Sequence, residues 1–258
     1  MLSGRPSAMT PSAPLRLALW SCPRTVSTTL MRSFDSRDDS CVVDEPFYAH
    51  YLEHTGLAHP MAEEIKRAHE SDWRKVVDEL LAPQADGVRV YYQKHMAHHL
   101  LAHMDAGYRD WMGQLTHAFL IRDPGEMLTS LLEKLPDATL EDTAYPQLEA
   151  LFQAECERRG ERPAVIDARD LLENPKGMLR ALCAAVGIPF QDSMLRWSPG
   201  PRATDGVWGP HWYGNTLRSA EFAPYRPKTE RVPAERLALL DACRQHYAPL
   251  HEARLRPA

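Results

Sequence analysis

The sequence predicts an α/β fold, a three-layer sandwich in which a central parallel sheet of about five strands is flanked by helices. Five short apolar runs, rich in Val, Ile, Leu, Tyr and Phe, alternate with longer segments that have helical spacing. Nearly continuous apolar strands between helices indicate a parallel sheet covered on both faces. The predicted strands are Leu15–Trp20, Cys41–Val43, Val88–Gln93, His117–Ile121 and Ala164–Asp167.

The segments between the strands supply the outer layers. Leu30, Met31 and Phe34 open a helical pattern directly after the first strand. Further helices are predicted over Ala62–Leu81, Pro124–Leu132, Leu148–Arg159 and Pro175–Val186. Residues 15–258 are expected to form a single domain after a disordered leader at 1–14. Residues 198–226 are rich in Pro, Gly and Trp without periodicity, which is typical of a lid or cap over a site.

Composition excludes several function classes. The net charge of −5 over 258 residues argues against a nucleic-acid binder that works by neutralising phosphates. The five cysteines are scattered with no CxxC pair, which favours a reducing compartment and therefore a cytoplasmic protein. No apolar stretch approaches the ~18–20 residues of a membrane span. The first residues lack the apolar core of a secretory signal.

The most informative segment is residues 15–34. A buried strand ends at Cys22-Pro23-Arg24, four hydroxyl residues follow, and a helix begins. Free amides and the dipole at such a helix N-terminus bind phosphate, and Arg24 adds a positive charge. The turn lacks the glycines and lysine of an ATP- or GTP-hydrolysing P-loop. The alternative is a plain strand–helix turn capped by Ser27 or Thr28.

A second segment ends the fourth predicted strand. Arg122-Asp123-Pro124 follows Phe119–Ile121, and Pro124 suits the first turn of a helix. Ser130 lies about two turns into that helix, so Arg122 and Ser130 would converge on one phosphate. The alternative is a surface ion pair of Arg122 with Asp123.

Together these segments resemble sulfotransferases that use 3′-phosphoadenosine 5′-phosphosulfate (PAPS), especially the bacterial members. Their 5′-phosphosulfate loop, P-[KR]-S-G-[ST]-T, is matched by Pro23–Thr28, with Val26 at the glycine position. Their R-D-P segment, followed by a serine eight residues after the Arg, is matched from Arg122 to Ser130. Their C-terminal R-K-G-x-x-G-x-W segment is similar to 201–208, and Ala168–Leu171 with Asn174-Pro175 is similar to their Y-E-D-L…N-P segment. Pro201 and Ala168 depart from these patterns.

The resemblance implies a P-loop NTPase-like fold and transfer of a sulfuryl group from PAPS to a hydroxyl or amine of a small molecule. It implies that no metal is required and that adenosine 3′,5′-bisphosphate (PAP) is the product. The residues that would hold the 5′-phosphosulfate are Arg24, Thr25, Val26, Ser27, Thr28 and Thr29. Those that would read or close over the 3′-phosphate are Arg122, Ser130, Arg202, Gly206 and Trp208. Residues 227–232 resemble a dimerisation segment of animal relatives, which would allow a homodimer.

The base that takes the acceptor proton has two candidates. Glu45 follows the second predicted strand, where some sulfotransferases place a Glu base. Others have K-T-H at the end of the third strand, with His as the base and Lys on the leaving group. Here Lys94 and His95 are adjacent, so the register is ambiguous, and either would alternatively stabilise the transferring group. Its position directly after the second strand favours Glu45 by a small margin.

Three rival functions remain open. A small-molecule kinase would share the fold but need Mg²⁺ and a P-loop lysine. A non-catalytic protein would bind PAP without turnover. A metal-binding protein would use His95, His99 and His103, which would share one face if the segment were helical. The acceptor pocket is predicted to draw on the aromatic residues Phe47, Tyr48, Tyr51, Trp208, Trp212 and Tyr213.

Overall fold

A computed structural model describes residues 13–104 and 107–258. These residues include five strands at the predicted places, with ends shifted by at most three residues: β1 Leu15–Ser21, β2 Ser40–Asp44, β3 Val90–Met96, β4 Thr116–Ile121 and β5 Ala164–Asp167. The leader predicted at 1–14 lies outside the described residues except for its last two positions.

All pairings in the sheet are parallel, and the strand order is β2-β3-β1-β4-β5. Leu17, near the middle of β1, lies opposite Tyr92 on one side and Thr116 on the other. The chain first builds the sheet on one side of β1 and then crosses to the other. The carboxyl ends of the strands therefore open at a switch point above β1, where ligands bind in such sheets.

Ten helices are described. They are α1 Ser27–Asp35, α2 Tyr48–Thr55, α3 Ala62–Ala68, α4 Trp73–Leu81, α5 Pro124–Leu132, α6 Tyr145–Arg159, α7 Ala168–Glu173, α8 Pro175–Ala185, α9 Gly209–Trp212 and α10 Leu237–Ala253. Among the described residues, none of them combines the length and the apolar character that a membrane crossing needs.

The side chains of β1 show how the layers form. Leu17 and Leu19 join one core with α1, α7 and α8, whereas Ala18 and Trp20 join a second core with α4, α5, α6 and α10. This alternation follows from the two-residue period of a strand. Both faces of the sheet are therefore buried under helices, and the predicted three-layer fold is confirmed.

The single helix predicted over Ala62–Leu81 is wrong. The chain leaves helical geometry at His69, which is extended with φ −125° and ψ 153°. A new helix, α4, then begins under Asp72, whose carboxylate accepts the Arg74 amide proton at 3.0 Å. An Asp that bonds the backbone two residues on competes with helix continuation and favours a new N-terminus.

The helical face predicted for His95, His99 and His103 is also wrong. His95 belongs to β3, His99 ends a 3₁₀ turn, Ala97–His99, and His103 lies in neither element. The three imidazoles therefore do not line up on one helix.

Candidate active site

A cavity of about 620 Å³ opens at the carboxyl edge of the sheet. The turn after β1, the start of α1, the ends of β2 and β3 and the segment 211–216 all line it. Both predicted motifs reach it, because Arg24, Arg122 and Ser130 are among its lining residues. Residues 211–216 belong to the segment predicted as a lid.

The turn before α1 presents its backbone to this cavity. Arg24 and Val26 have left-handed φ angles of 61° and 62°, and the Thr25 hydroxyl donates to the Cys22 carbonyl at 2.8 Å. A left-handed backbone favours glycine, so the conformation explains the glycine of the loop that this segment resembles. No described side chain caps α1, and its first intrahelical bond runs from the Leu30 amide to the Val26 carbonyl. The amides before Leu30 are thus available to an anion.

Two arginines converge beside this turn. Arg24 Nε donates to Ser130 Oγ at 2.9 Å, and Arg122 donates to the Arg24 carbonyl at 2.9 Å. Burial and the neighbouring Arg122 lower the pKa of Arg24, so an anion would relieve the crowding of two cations. Arg122 also pairs with Glu126, because its Nε and one terminal nitrogen donate to Glu126 Oε2 at 3.1 Å.

A second group of polar side chains at the cavity, around Lys94, forms a buried network. Lys94 Nζ donates to Asp44 Oδ1 at 2.8 Å, Glu45 Oε1 at 2.5 Å and the Tyr213 hydroxyl at 3.0 Å. The Tyr213 hydroxyl donates to Asp44 Oδ2 at 2.6 Å and accepts the Trp208 indole proton at 2.7 Å. One cation therefore faces two carboxylates, and all three Lys94 protons are in use.

The environment of Glu45 suits proton transfer. Burial raises the pKa of Glu45; Lys94 opposes this effect and Asp44 adds to it. Its φ of 41° is left-handed, and its amide donates to the Lys94 carbonyl at 2.8 Å. Strained backbone held in place by neighbours is common at functional sites. The cation bonded to Glu45 is Lys94.

His95, one of the two candidate bases, lies outside the cavity. This placement is a correction to its expected role as the base. Successive side chains of a strand point to opposite faces, so Lys94 and His95 cannot reach the same site. The His95 ring stacks on Trp20 with centroids 4.4 Å apart, and its Nε2 lies 3.2 Å from Gln93 Oε1. Burial lowers the pKa of His95 to about 3. The side chain two residues beyond Lys94 is Met96, which lines the cavity but cannot take a proton.

Three residues expected around the 3′-phosphate also lie outside the cavity: Arg202, Gly206 and Trp208. A buried ion pair explains their position, because Arg32 of α1 holds Asp205 at 2.6 Å and draws this loop against the back of the helix. The Arg202 amide donates to Asp205, the Gly206 amide lies 3.3 Å from Asp44, and Trp208 is buried.

Two lysines also line the cavity, Lys134 after α5 and Lys228 beyond the lid segment. Neither was predicted as a site residue, because Lys134 lies in a connecting segment without a motif and Lys228 lies in the segment that resembles a dimerisation segment. The hydroxyls of Thr29 and Thr216 meet at 3.3 Å and join α1 to the lid segment.

Another part of the cavity lining is aromatic and rich in histidine. Tyr48, Trp212 and Tyr213 line it, as predicted, whereas Phe47, Tyr51 and Trp208 pack in the core. His59, His98, His99 and Asp142 also line it. Burial lowers the pKa of His98 to about 4 and holds the pKa of His99 well below its ordinary value, so these rings are neutral near pH 7.

Comparison with known proteins identifies related sequences. A family model described as a sulfotransferase domain matches residues 15–254. Branched-chain-amino-acid aminotransferase-like protein 2 of Arabidopsis thaliana is 36% identical over 225 residues, and its paralogue, protein 1, is 37% identical over 223. The matched regions cover 87% and 86% of this chain but only 39% of each plant protein.

Solved structures share the fold. A sulfotransferase from Alicyclobacillus acidocaldarius superimposes with a TM-score of 0.56 and 13% identity, covering 96% of this chain and 98% of that one. The sulfotransferase domain of the Synechococcus PCC 7002 olefin synthase gives 0.53 and 17%, covering 94% and 98%. At these identities the likeness concerns the fold alone.

Proposed function

The chain belongs to the sulfotransferase domain family, and on that premise we propose that it transfers a sulfuryl group from PAPS to a hydroxyl or amine of a small-molecule acceptor. The observation that carries the proposal is the convergence of Arg24, Ser130 and Arg122 beside the uncapped N-terminus of α1. Hydrogen-bond donors and positive charge are concentrated there, as the two anionic ends of such a donor require.

The donor and the acceptor would occupy different halves of the cavity. The amides of residues 27–29 and Arg24 would hold the 5′-phosphosulfate, and Arg122 and Ser130 the 3′-phosphate. The neutral histidines and aromatic rings of the other half would receive the acceptor. Binding both molecules in line supplies much of the rate enhancement.

Glu45 is the proposed base. Its carboxylate takes the proton of the acceptor as the acceptor oxygen or nitrogen forms a bond to sulfur. The bond from sulfur to the bridging oxygen of the phosphosulfate breaks, and its electron pair leaves with PAP. Arg24 and the helix N-terminus stabilise the charge that develops on the leaving group.

The Lys94–Glu45 hydrogen bond couples proton transfer to Glu45 with the departure of the leaving group. Lys94 has no free proton while it serves Asp44, Glu45 and Tyr213. When Glu45 receives the acceptor proton it becomes neutral and its hold on Lys94 weakens. One N–H of Lys94 is then free to turn to the bridging oxygen as negative charge collects there.

The donor half is tested by thermal stabilisation with PAP, using 5′-AMP and ATP·Mg²⁺ for comparison. A ligand at ~100-fold its Kd adds about 2.7 kcal/mol, enough for a clear rise in Tm. We expect a rise specific to PAP, reduced in Arg24→Ala and Arg122→Ala. A rise only with ATP·Mg²⁺ would support a kinase instead.

The transfer itself is tested by an acceptor screen with ³⁵S-labelled PAPS. Labelled product that disappears in Glu45→Gln supports the proposed reaction. Tight PAP binding without transfer to any class of hydroxyl or amine would favour a non-catalytic nucleotide-binding protein.

A further inference from the structure

We propose that His50, His54 and His103 form a binding site for one zinc-like divalent cation, which fastens α2 to the segment that follows β3. This site lies apart from the cavity and does not depend on the sulfuryl donor. The cluster was not evident from the sequence, because His103 lies about fifty residues from the other two.

The spacing of the three rings fits one ion. His50 and His54 are four residues apart on α2, so they share one face of that helix. His50 Nε2 lies 2.8 Å from His103 Nε2, and the His54 ring stacks on the His103 ring with centroids 3.8 Å apart. One nitrogen from each ring lies within 4.8 Å of the others. Ligand atoms around tetrahedral zinc lie about 3.3 Å apart, so small side-chain rotations complete the geometry.

His50 is already oriented as a metal ligand. It is 6% exposed, and its Nδ1 lies 2.7 Å from the Ser71 carbonyl, to which it donates. That bond fixes the tautomer and leaves a lone pair on Nε2, which faces His103. Histidines that bind metals are commonly held by such a bond from the other ring nitrogen.

The surroundings of His50 and His103 also favour the neutral form of these two rings. Burial lowers the pKa of His50, and the pKa of His103 is lowered by partial burial and by the neighbouring His54 and His50. Neutral imidazole is the form that binds a cation.

The donor set selects the kind of ion. Three imidazoles without a thiolate or carboxylate suit Zn²⁺, Co²⁺, Ni²⁺ or Cu²⁺ rather than Mg²⁺ or Ca²⁺, which prefer oxygen. His50–His54 has the H-x-x-E-H order of some zinc proteases. However, Glu53 lies 3.8 Å from Lys66, and His54 and His103 are exposed rather than set in a cleft. We therefore assign the ion a structural role, which is compatible with sulfuryl transfer that needs no metal.

The position of the site indicates that a bound ion would affect the wall of the cavity. Tyr48, two residues before His50, and His99, four residues before His103, stack on each other at 4.6 Å and both line the cavity. A bound cation would tie together the two segments that form this aromatic wall. Binding should therefore stabilise the half of the cavity assigned to the acceptor.

The test uses the full chain, purified without a polyhistidine tag and stripped with a chelator. Calorimetric titration with Zn²⁺ is expected to give one ion per chain and a rise in Tm that Mg²⁺ does not produce. Co²⁺ is expected to give the intense visible absorption of a tetrahedral site.

His54→Ala and His103→Ala are the decisive variants, because both side chains are exposed and their removal should not prevent folding. Each should weaken Zn²⁺ binding more than about 100-fold, since even outer partners of a ligand contribute 10–100-fold. His246→Ala is the control, because His246 pairs with Glu149 on a different surface. Zinc affinity that is unchanged in both variants, or absent in the unaltered chain, would overturn the proposal.

Discussion

Lys94 Nζ lies 2.5 Å from Glu45 Oε1 and joins the ends of two neighbouring strands beneath the cavity. Lys94 is 1% exposed and also holds Asp44, so one buried cation serves two carboxylates. The arrangement leaves a net negative charge in a region of low dielectric. That charge favours uptake of a proton by Glu45, the more accessible carboxylate at 11% exposure.

Glu45→Gln should abolish transfer while leaving the donor site intact. The amide keeps the size of the side chain and a contact for Lys94 but cannot accept the acceptor proton. Loss of a general base typically costs 10²–10⁴-fold in rate, so kcat should fall at least about 100-fold, with PAP affinity unchanged. Labelled-PAPS turnover and PAP titration measure the two quantities.

Glu133→Gln is the matched control, because Glu133 lines the same cavity without contacting Lys94. It should retain most of the turnover. A Glu45→Gln enzyme that keeps more than a tenth of the normal kcat would remove Glu45 from the role of base.

The stability of the fold should fall as the pH is lowered through the range of unfolded histidine. His95 has a folded pKa of about 3, below its ordinary value of 6.5, so the unfolded chain binds the extra proton between these values. Its contribution is fully present above pH 6.5 and decreases by about 2 kcal/mol between pH 7 and pH 5. Urea unfolding at the two pH values measures the difference.

His95→Phe should reduce this pH dependence, because phenylalanine keeps the ring that stacks on Trp20 and cannot be protonated. His211→Ala, at an exposed position, should leave the slope unchanged. Equal slopes in the native chain and His95→Phe would show that His95 is not the group responsible.

The sheet and the turn before α1 were predictable because their signals are local. Apolar runs mark buried strands, and the hydroxyl-rich turn after β1 marks a helix N-terminus. Lys94 and His95 are adjacent, so the motif alone could not show which of the two side chains faces the cavity. The alternation of side chains along β3 decides this. The break at His69 was missed because the apolar spacing of α3 and α4 continues across it.

The features of the site that were not predicted depend on contacts between residues that are distant in sequence. The path of the loop at 201–208 is set by Arg32 and Asp205, which are 173 residues apart, so matching the motif could not place Arg202. Likewise, Asp142 and His59 reach the cavity from segments with no periodicity. The cytoplasmic location and the homodimer stay predictions.

Gly206→Ala should disrupt the loop over Asp44. A Cβ at this position would lie 2.2 Å from the Trp208 ring, which is 1% exposed and cannot move aside. Overpacking of this kind costs typically ~1–3 kcal/mol, and displacement of Trp208 would also break its bond to Tyr213. Thermal unfolding and tryptophan fluorescence report the two effects.

Gly209→Ala supplies the comparison, because a Cβ there meets its nearest atom at 3.4 Å, which the Tyr213 ring can accommodate. Its Tm should stay close to that of the native chain. Two variants with equal Tm values would show that the close approach of Gly206 to Trp208 does not constrain this loop.

Asp205→Asn should destabilise the chain by about 3–5 kcal/mol, because it leaves the buried Arg32 guanidinium without its counter-charge. The pair is 1% and 7% exposed, and both oxygens of Asp205 lie 2.6 Å from Arg32. Asp137→Asn is the contrast, since Asp137 is 99% exposed in its pair with Arg236 and should contribute less than about 1 kcal/mol. Similar urea midpoints for the two variants would show that burial of an ion pair does not determine how much its loss destabilises the chain.

Glu126→Gln should strengthen the binding of PAP. Glu126 Oε2 occupies two donors of Arg122 at 3.1 Å, and its other oxygen accepts the Tyr225 hydroxyl. A 3′-phosphate that approaches Arg122 must therefore compete with this carboxylate and is repelled by its charge. Removing the charge while keeping the shape should gain about 1 kcal/mol, or roughly fivefold in affinity, at this partly exposed pair.

The same change should leave 5′-AMP almost unaffected, because 5′-AMP carries no 3′-phosphate to meet Arg122. The ratio of PAP to 5′-AMP affinity, measured by titration for the native chain, Glu126→Gln and Arg122→Ala, isolates the contact. The ratio should rise in Glu126→Gln and fall in Arg122→Ala. If both ligands respond equally to both changes, Arg122 does not read the 3′-phosphate, and the proposed orientation of the donor is reversed or wrong.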